Sequence, residues 1–227
     1  MMQAIPSRLA STAFLTTAFL AASLLAAAPA QAQDAAAGER KAASCIGCHG
    51  IVGYQASFPQ VYKVPMISGQ NAAYIVASLT AYKKGERKHP TMRSVAGSLT
   101  DADMADLGAF YEQHGQSSVK SVAATTGPAP SPAVAALLTK GACASCHGAD
   151  FNKPISPAYP KLAGQYADFT YATLLSYSVE GNPHVGRANA IMAAQVKQFQ
   201  RAELKAMAEY LAKLPGDLKV VPQSRFR

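Results

Sequence analysis

Tryptophan is absent from the 227-residue sequence, and cysteine occurs only four times. Four cysteines are too few for a disulfide-dense mini-protein. Charged residues make up 15% of the chain and hydrophobic residues 49%, the reverse of what a disordered tail protein needs. A collagen-like chain is excluded as well. Acidic residues are scarce, 13 against 21 basic ones, for a net charge of +8. Alanine, by contrast, is abundant. It favours helix and leaves few large side chains for a core, so something besides side chains is expected to help fill the interior. The length suits one large domain or two small ones.

Residues 1–32 carry a single charge, Arg8, followed by an apolar stretch over about 9–28 that ends in Ala30-Gln31-Ala32. A basic start, an apolar centre and a small-residue exit are the parts of a secretory signal peptide. Cleavage after Ala32 is expected in preference to a retained anchor, although the stretch is nearly long enough to span a bilayer. The mature protein is then expected to be soluble in the periplasm, an oxidising compartment.

The rest of the chain reads as a duplication. Cys45-Ile46-Gly47-Cys48-His49-Gly50 recurs as Cys143-Ala144-Ser145-Cys146-His147-Gly148, 98 residues on. Pro65-Met66-Ile67-Ser68-Gly69-Gln70 recurs as Pro160-Lys161-Leu162-Ala163-Gly164-Gln165, 95 residues on. Tyr82 answers to Tyr177, Met92 to Met192, and Asp103-Met104 to Glu203-Leu204. Order kept over this distance means two copies of one domain. Expected boundaries are 33–115 and 132–216, with a Ser/Ala/Pro-rich linker at 116–131 and a basic tail at 217–227 that has no assigned role.

Each copy reads as three helices without strands. Asp34 can cap a helix running toward Ser44, and Ser131-Pro132 is the cap and first turn of its counterpart. The pattern over 71–84 predicts a helix with Ile75, Leu79 and Tyr82 on one face and Gly85 at its end. Thr100 and Asp103 resemble a capping box for a helix bearing Met104, Leu107 and Tyr111. Leu204, Met207, Leu211 and Leu214 form the matching stripe, closed by Pro215-Gly216. So small a core needs a staple or a cofactor.

Cys-x-x-Cys-His is the attachment signal for c-type haem. Two thiols, Cys45 with Cys48 and Cys143 with Cys146, can add to the two vinyl groups on one porphyrin edge. The next residue, His49 or His147, can then offer neutral imidazole to the iron. Competing readings are one four-thiolate zinc site, two disulfides, or thioredoxin-like redox pairs. Zinc does not call for a His after each pair, and redox pairs belong in a βαβ context that is missing. For the sixth iron ligand Met92 and Met192 are favoured, because thioether ligation suits an electron carrier. Both were expected in non-helical stretches. The rivals are His89 and His184, which correspond at an offset of 95. Met104 and Met207 read as core residues, and Met66 as packing.

With these motifs in hand, the sequence resembles the dihaem class I cytochromes of the cytochrome c4 kind, two fused monohaem domains in one chain. The resemblance covers about 38–214 and rests on Cys-x-x-Cys-His, Pro-x-(Ile/Leu)-x-Gly-Gln and the late Met, each present twice. It implies an all-α fold of two tandem class I domains and two covalently bound haem c groups. It also implies that Pro65 accepts a hydrogen bond from His49, and Pro160 one from His147. Val64 precedes the first of these prolines where Tyr159 precedes the second.

The resemblance further implies a soluble electron carrier, not an enzyme, with no small-molecule substrate and no nucleic acid. Its partners would be periplasmic or membrane redox proteins: a terminal oxidase, a reductase or a dehydrogenase. A monomer is expected, with any membrane association coming through the partner. The alternatives are a cytochrome subunit of a dehydrogenase complex, or a haem enzyme of the peroxidase or thiosulfate-oxidising type. From 33 to 118 the chain has 8 basic and 7 acidic residues, and from 119 to 227 it has 12 and 6. A basic second half would steer an acidic partner surface.

Overall fold

The computed structural model describes Met1 and residues 33–116 and 127–222. The leader beyond Met1, positions 117–126 of the expected linker and 223–227 of the tail lie outside the described residues.

The first copy contains five helices where three were expected. Asp34 caps α1 (Ala35–Lys41), its carboxylate accepting from the amides of Ala36 and Ala37. The expected continuous helix turns at the fully buried Ala42 and resumes as α2 (Ala43–His49). The turn lets α1 lie tightly across the last helix of the copy, α5 (Asp101–Gln113). A Cβ on Gly38 would strike the Asp106 carbonyl and Phe110, so glycine permits that crossing. Between them run α3 (Ala72–Lys84), closed by Gly85 at φ 77°, and α4 (Pro90–Gly97). The Thr100–Asp103 capping box starts α5. Ile75, Leu79, Tyr82, Met104, Leu107, Phe110 and Tyr111 bury together as one core.

The second copy repeats the order: α6 (Pro132–Lys140), α7 (Cys143–His147), α8 (Ala167–Ser176), α9 (Ala190–Val196) and α10 (Arg201–Leu211). Ser131 caps α6 with Pro132 in its first turn. Gln200 and Glu203 form the capping box of α10, so glutamine does here what Thr100 does in the first copy. Leu204, Met207, Leu211 and Leu214 are buried, divided between two smaller clusters.

Met92 and Met192 lie in α4 and α9, not in the non-helical stretches expected. These helices have eight and seven residues, too short to show an apolar period. The strands are two residues each: β1 (Gln55–Ala56) with β2 (Tyr62–Lys63), and β3 (Arg87–Lys88) with β4 (Gly186–Arg187). They leave the fold all-α, but the β3–β4 pair joins the two copies.

That junction is two-fold in character. Gln165 accepts from the Met66 amide at 3.0 Å and donates to the Met66 carbonyl at 2.9 Å. Gln70 does the same to Lys161, at 2.9 and 3.1 Å. The Gly-Gln end of each copy's motif thus grips the Pro end of the other's, a reciprocal, isologous contact. Gly69 and Gly164, at φ 83° and 78°, make the sharp turn that aims each glutamine outward. Their amides donate to the last helix of their own copy, at Tyr111 and Leu211.

The start of the tail returns to the first copy. The Lys219 amide donates to the Ser68 carbonyl at 3.0 Å. The Lys161 ammonium holds both Asp217 and the Gly69 carbonyl at 2.8 Å. Position 219 therefore braces the junction, although nothing in the repeat pattern foreshadowed a role for it.

Candidate cofactor sites

Helix α2 carries Cys45, Cys48 and His49 within one turn, so the three side chains share a side of the copy. Helix α7 does the same with Cys143, Cys146 and His147. None of the four thiols is in a disulfide. Burial pushes the Cys45 and Cys143 thiols up from their ordinary value. Among the described residues no three His, Cys, Asp or Glu gather as a metal site, so the two Cys pairs are not brought together for zinc.

Each imidazole is fixed from behind. His49 Nδ1 lies 2.8 Å from the Pro65 carbonyl, and His147 Nδ1 lies 3.1 Å from that of Pro160. A carbonyl only accepts, so Nδ1 carries the proton and Nε2 keeps its lone pair. Burial lowers the affinity of both rings for a second proton. At His49 the nearby charges of Arg87 and His89 act in the same direction. Both rings are therefore neutral donors at neutral pH, the form that binds a metal.

Met92 is half-buried against the first core, and Met192 is half-buried in α9. The Met92 amide donates to His89 Nδ1 at 3.4 Å, and the Met192 amide to Asn189 at 2.9 Å. His89 is thus a helix cap whose counterpart is Asn189, 100 residues on. His184 is exposed, its ring 5.5 Å from Phe58, and occupies no matching place.

Two further residues belong to the region and were missed from sequence. Arg87 and Arg187 face one another as register partners of β3 and β4. Each lies five residues before its copy's Met, a spacing that could have revealed them. The buried Arg87 Nε has no hydrogen-bond partner.

These features fit haem c: paired free thiols, a neutral imidazole with Nε2 unused, and a buried guanidinium group awaiting an acceptor. A family model described as cytochrome c matches residues 133–215. Cytochrome c4 of Thiocapsa roseopersicina is 32% identical over 197 residues, spanning 80% of this chain and 93% of that protein. The chain is a member of the cytochrome c4 family. The crystal structure of reduced recombinant cytochrome c4 from Pseudomonas stutzeri covers 81% of this chain and 100% of its own, at 26% identity and a TM-score of 0.59. A thiosulfate dehydrogenase electron acceptor from Stutzerimonas stutzeri is 27% identical over 75% of this chain and 79% of its own.

As a cytochrome c4 family member the protein carries two covalently bound haem c groups and transfers electrons. It is an electron carrier, not an enzyme. Among the described residues no helix is long and apolar enough to cross a membrane.

Proposed function

We propose that the protein is a periplasmic dihaem shuttle with Met/His ligation at both irons, handing electrons to a terminal oxidase or another redox protein. The observation that carries this reading is the imidazole–proline bond made twice, at His49–Pro65 and His147–Pro160. Cys45 and Cys48 would anchor one haem, and Cys143 and Cys146 the other. His49 with Met92, and His147 with Met192, would ligate the two irons. Haem, when bound, supplies a one-electron ferrous–ferric couple.

Everything the chain contributes serves to keep that couple free of rearrangement. The Pro65 and Pro160 carbonyls orient the rings and raise their basicity. Side-chain caps fix the backbone of Met92 and Met192, so each thioether leaves from a rigid turn. A thioether raises the potential relative to a second imidazole. The domains are read as 33–115 and 132–216, joined by 116–131, behind a leader removed after Ala32.

Similarity to a thiosulfate dehydrogenase electron acceptor favours one further reading of the partner, a dehydrogenase that reduces this chain directly. Denatured mature protein should retain its colour through acid-acetone extraction, and its mass should exceed that of residues 33–227 by two haems. Met92→Ala should remove the far-red thioether band of one haem only. Haem that extracts freely, or a bound zinc, would refute the assignment. A stoichiometric dehydrogenase complex on purification would select the second partner.

A further inference from the structure

Electron transfer as derived above leaves Gln70 and Gln165 only the task of joining the copies. Yet each ends on a peptide unit that a Cys-x-x-Cys-His imidazole also uses. The Pro65 carbonyl lies 2.8 Å from His49 Nδ1, and the amide of that same peptide unit, carried by Met66, donates to Gln165 Oε1 at 3.0 Å. The Pro160 carbonyl lies 3.1 Å from His147 Nδ1, and the amide of its unit, carried by Lys161, donates to Gln70 Oε1 at 2.9 Å. An imidazole and a peptide unit of one copy thus stand in a single hydrogen-bonded chain with a glutamine of the other, and the arrangement occurs twice.

The glutamine oxygens are firmly aimed. Gln70 is 4% exposed and Gln165 5%. Each Oε1 also accepts from the next amide of its own copy, Asn71 at 3.0 Å and Tyr166 at 3.1 Å. Each Nε2 donates to a carbonyl of the other copy, Lys161 at 3.1 Å and Met66 at 2.9 Å. Turned over, either side chain would set its oxygen against a carbonyl and its NH2 against two amides, so the orientation is fixed. The peptide C–N bond is partly double, so an acceptor at its N–H draws charge onto its carbonyl oxygen. That oxygen then holds the imidazole proton more tightly and makes Nε2 more basic. A more basic ligand favours the ferric iron and lowers the potential.

We propose that Gln70 and Gln165 are positioning residues that act across the junction. Gln165 sets the basicity of His49 and Gln70 that of His147, so each copy holds down the reduction potential of the other copy's haem. The inference rests on the two-haem reading.

The test is spectroelectrochemical titration of the holoprotein with Gln165→Leu, Gln70→Leu and Gln165→Glu. Met92→Ala assigns the step of the first haem. Gln165→Leu should move the first haem about threefold toward the ferrous form, or about 28 mV higher for one electron, and leave the second in place. In the reduced protein the His49 Nδ1 proton should move upfield in the NMR spectrum and exchange faster, with that of His147 unchanged. Gln70→Leu should give the mirror result, and it decides the matter if Gln165→Leu does not fold. Gln165→Glu keeps an oxygen for the Met66 amide, so the first haem should stay at or below its wild-type potential. Leu variants that shift the haem of their own copy, or both haems equally, would overturn the proposal, because that is the mark of a loosened junction. A Glu variant that raises the potential as Leu does would overturn it as well. Two haems by mass with unshifted potentials in both Leu variants overturn this inference alone, whereas a wild-type chain without two haems overturns the two-haem reading and this inference with it.

Discussion

Gln165→Leu tests whether the copies are held together by the reciprocal glutamine contact. Gln165 is 5% exposed and uses three of its four hydrogen-bonding positions locally, on the Met66 amide at 3.0 Å, the Met66 carbonyl at 2.9 Å and the Tyr166 amide at 3.1 Å. Leucine has similar bulk and no polar atoms, so packing is largely kept and the polar contacts are lost. Met66 and Tyr166 are both half-buried residues, and each of their amides that water does not reach is a stranded donor that costs roughly 1–3 kcal/mol. For a protein this size each kcal/mol lowers Tm by roughly 2–4 °C. Gln70→Leu should cost a similar amount, because Gln70 is 4% exposed and makes the mirror pair of bonds to Lys161. Gln165→Glu should be worse than Leu at neutral pH, since a carboxylate cannot donate to the Met66 carbonyl and faces it with a buried charge. Exposed Gln198→Leu serves as control and should stay within about 0.5 kcal/mol of wild type. Urea and thermal unfolding of the holoprotein, followed by far-ultraviolet circular dichroism, would give all four values. Equal stability of Gln165→Leu and Gln198→Leu would refute the idea that these bonds hold the junction.

Two further variants probe the first copy. Met104 is fully buried between α3 and α5, so Met104→Ala should cost about 2–5 kcal/mol while leaving the visible spectrum unchanged. A spectral change there, with none in Met92→Ala, would transfer the ligand role to Met104. Lys41 and Thr100 hold the Asp103 carboxyl well below its ordinary 3.8, so its contribution is fully present above that pH and lost as pH falls through the lower, folded value. The stability gap between wild type and Asp103→Asn should therefore be constant from neutrality down to about pH 4 and close in stronger acid. A gap that widens on acidification would contradict the sign.

What could be read from sequence divides by physical cause. Cys-x-x-Cys-His was legible because bond lengths and a single helical turn dictate its spacing. Caps such as Asp34, Thr100 and Ser131 were legible because short oxygen-bearing side chains are the preferred partners of the first amides of a helix. The junction was not. Gln70 and Gln165 read as ordinary polar residues until their partners, more than 90 residues away, are seen.

The rival ligand pair shows how the repeat itself misled. Tyr82 and Tyr177 are 95 residues apart, whereas Arg87 and Arg187 are 100 apart, so the second copy holds five extra residues between those points. His184 lies in that insertion. Its match with His89 at an offset of 95 compared a helix cap with a residue the first copy does not possess. The same insertion hid the two arginines, because an alignment carried forward at 95 sets Arg87 against Asn182. Carrying the offset backward from the methionines instead, at 100, pairs Met92 with Met192, His89 with Asn189 and Arg87 with Arg187. Antiparallel pairing of β3 with β4 fits a two-fold contact, in which Arg87 and Arg187 meet as equivalents at the axis. On this reasoning the register of the junction is set by β3 and β4 together with the Gln70 and Gln165 contacts, not by the length of the insertion. Shortening the insertion within 178–185 should leave the β3–β4 pairing and both spectra intact, whereas Lys88→Pro, which removes an amide from the strand, should weaken the junction without touching either CxxCH helix.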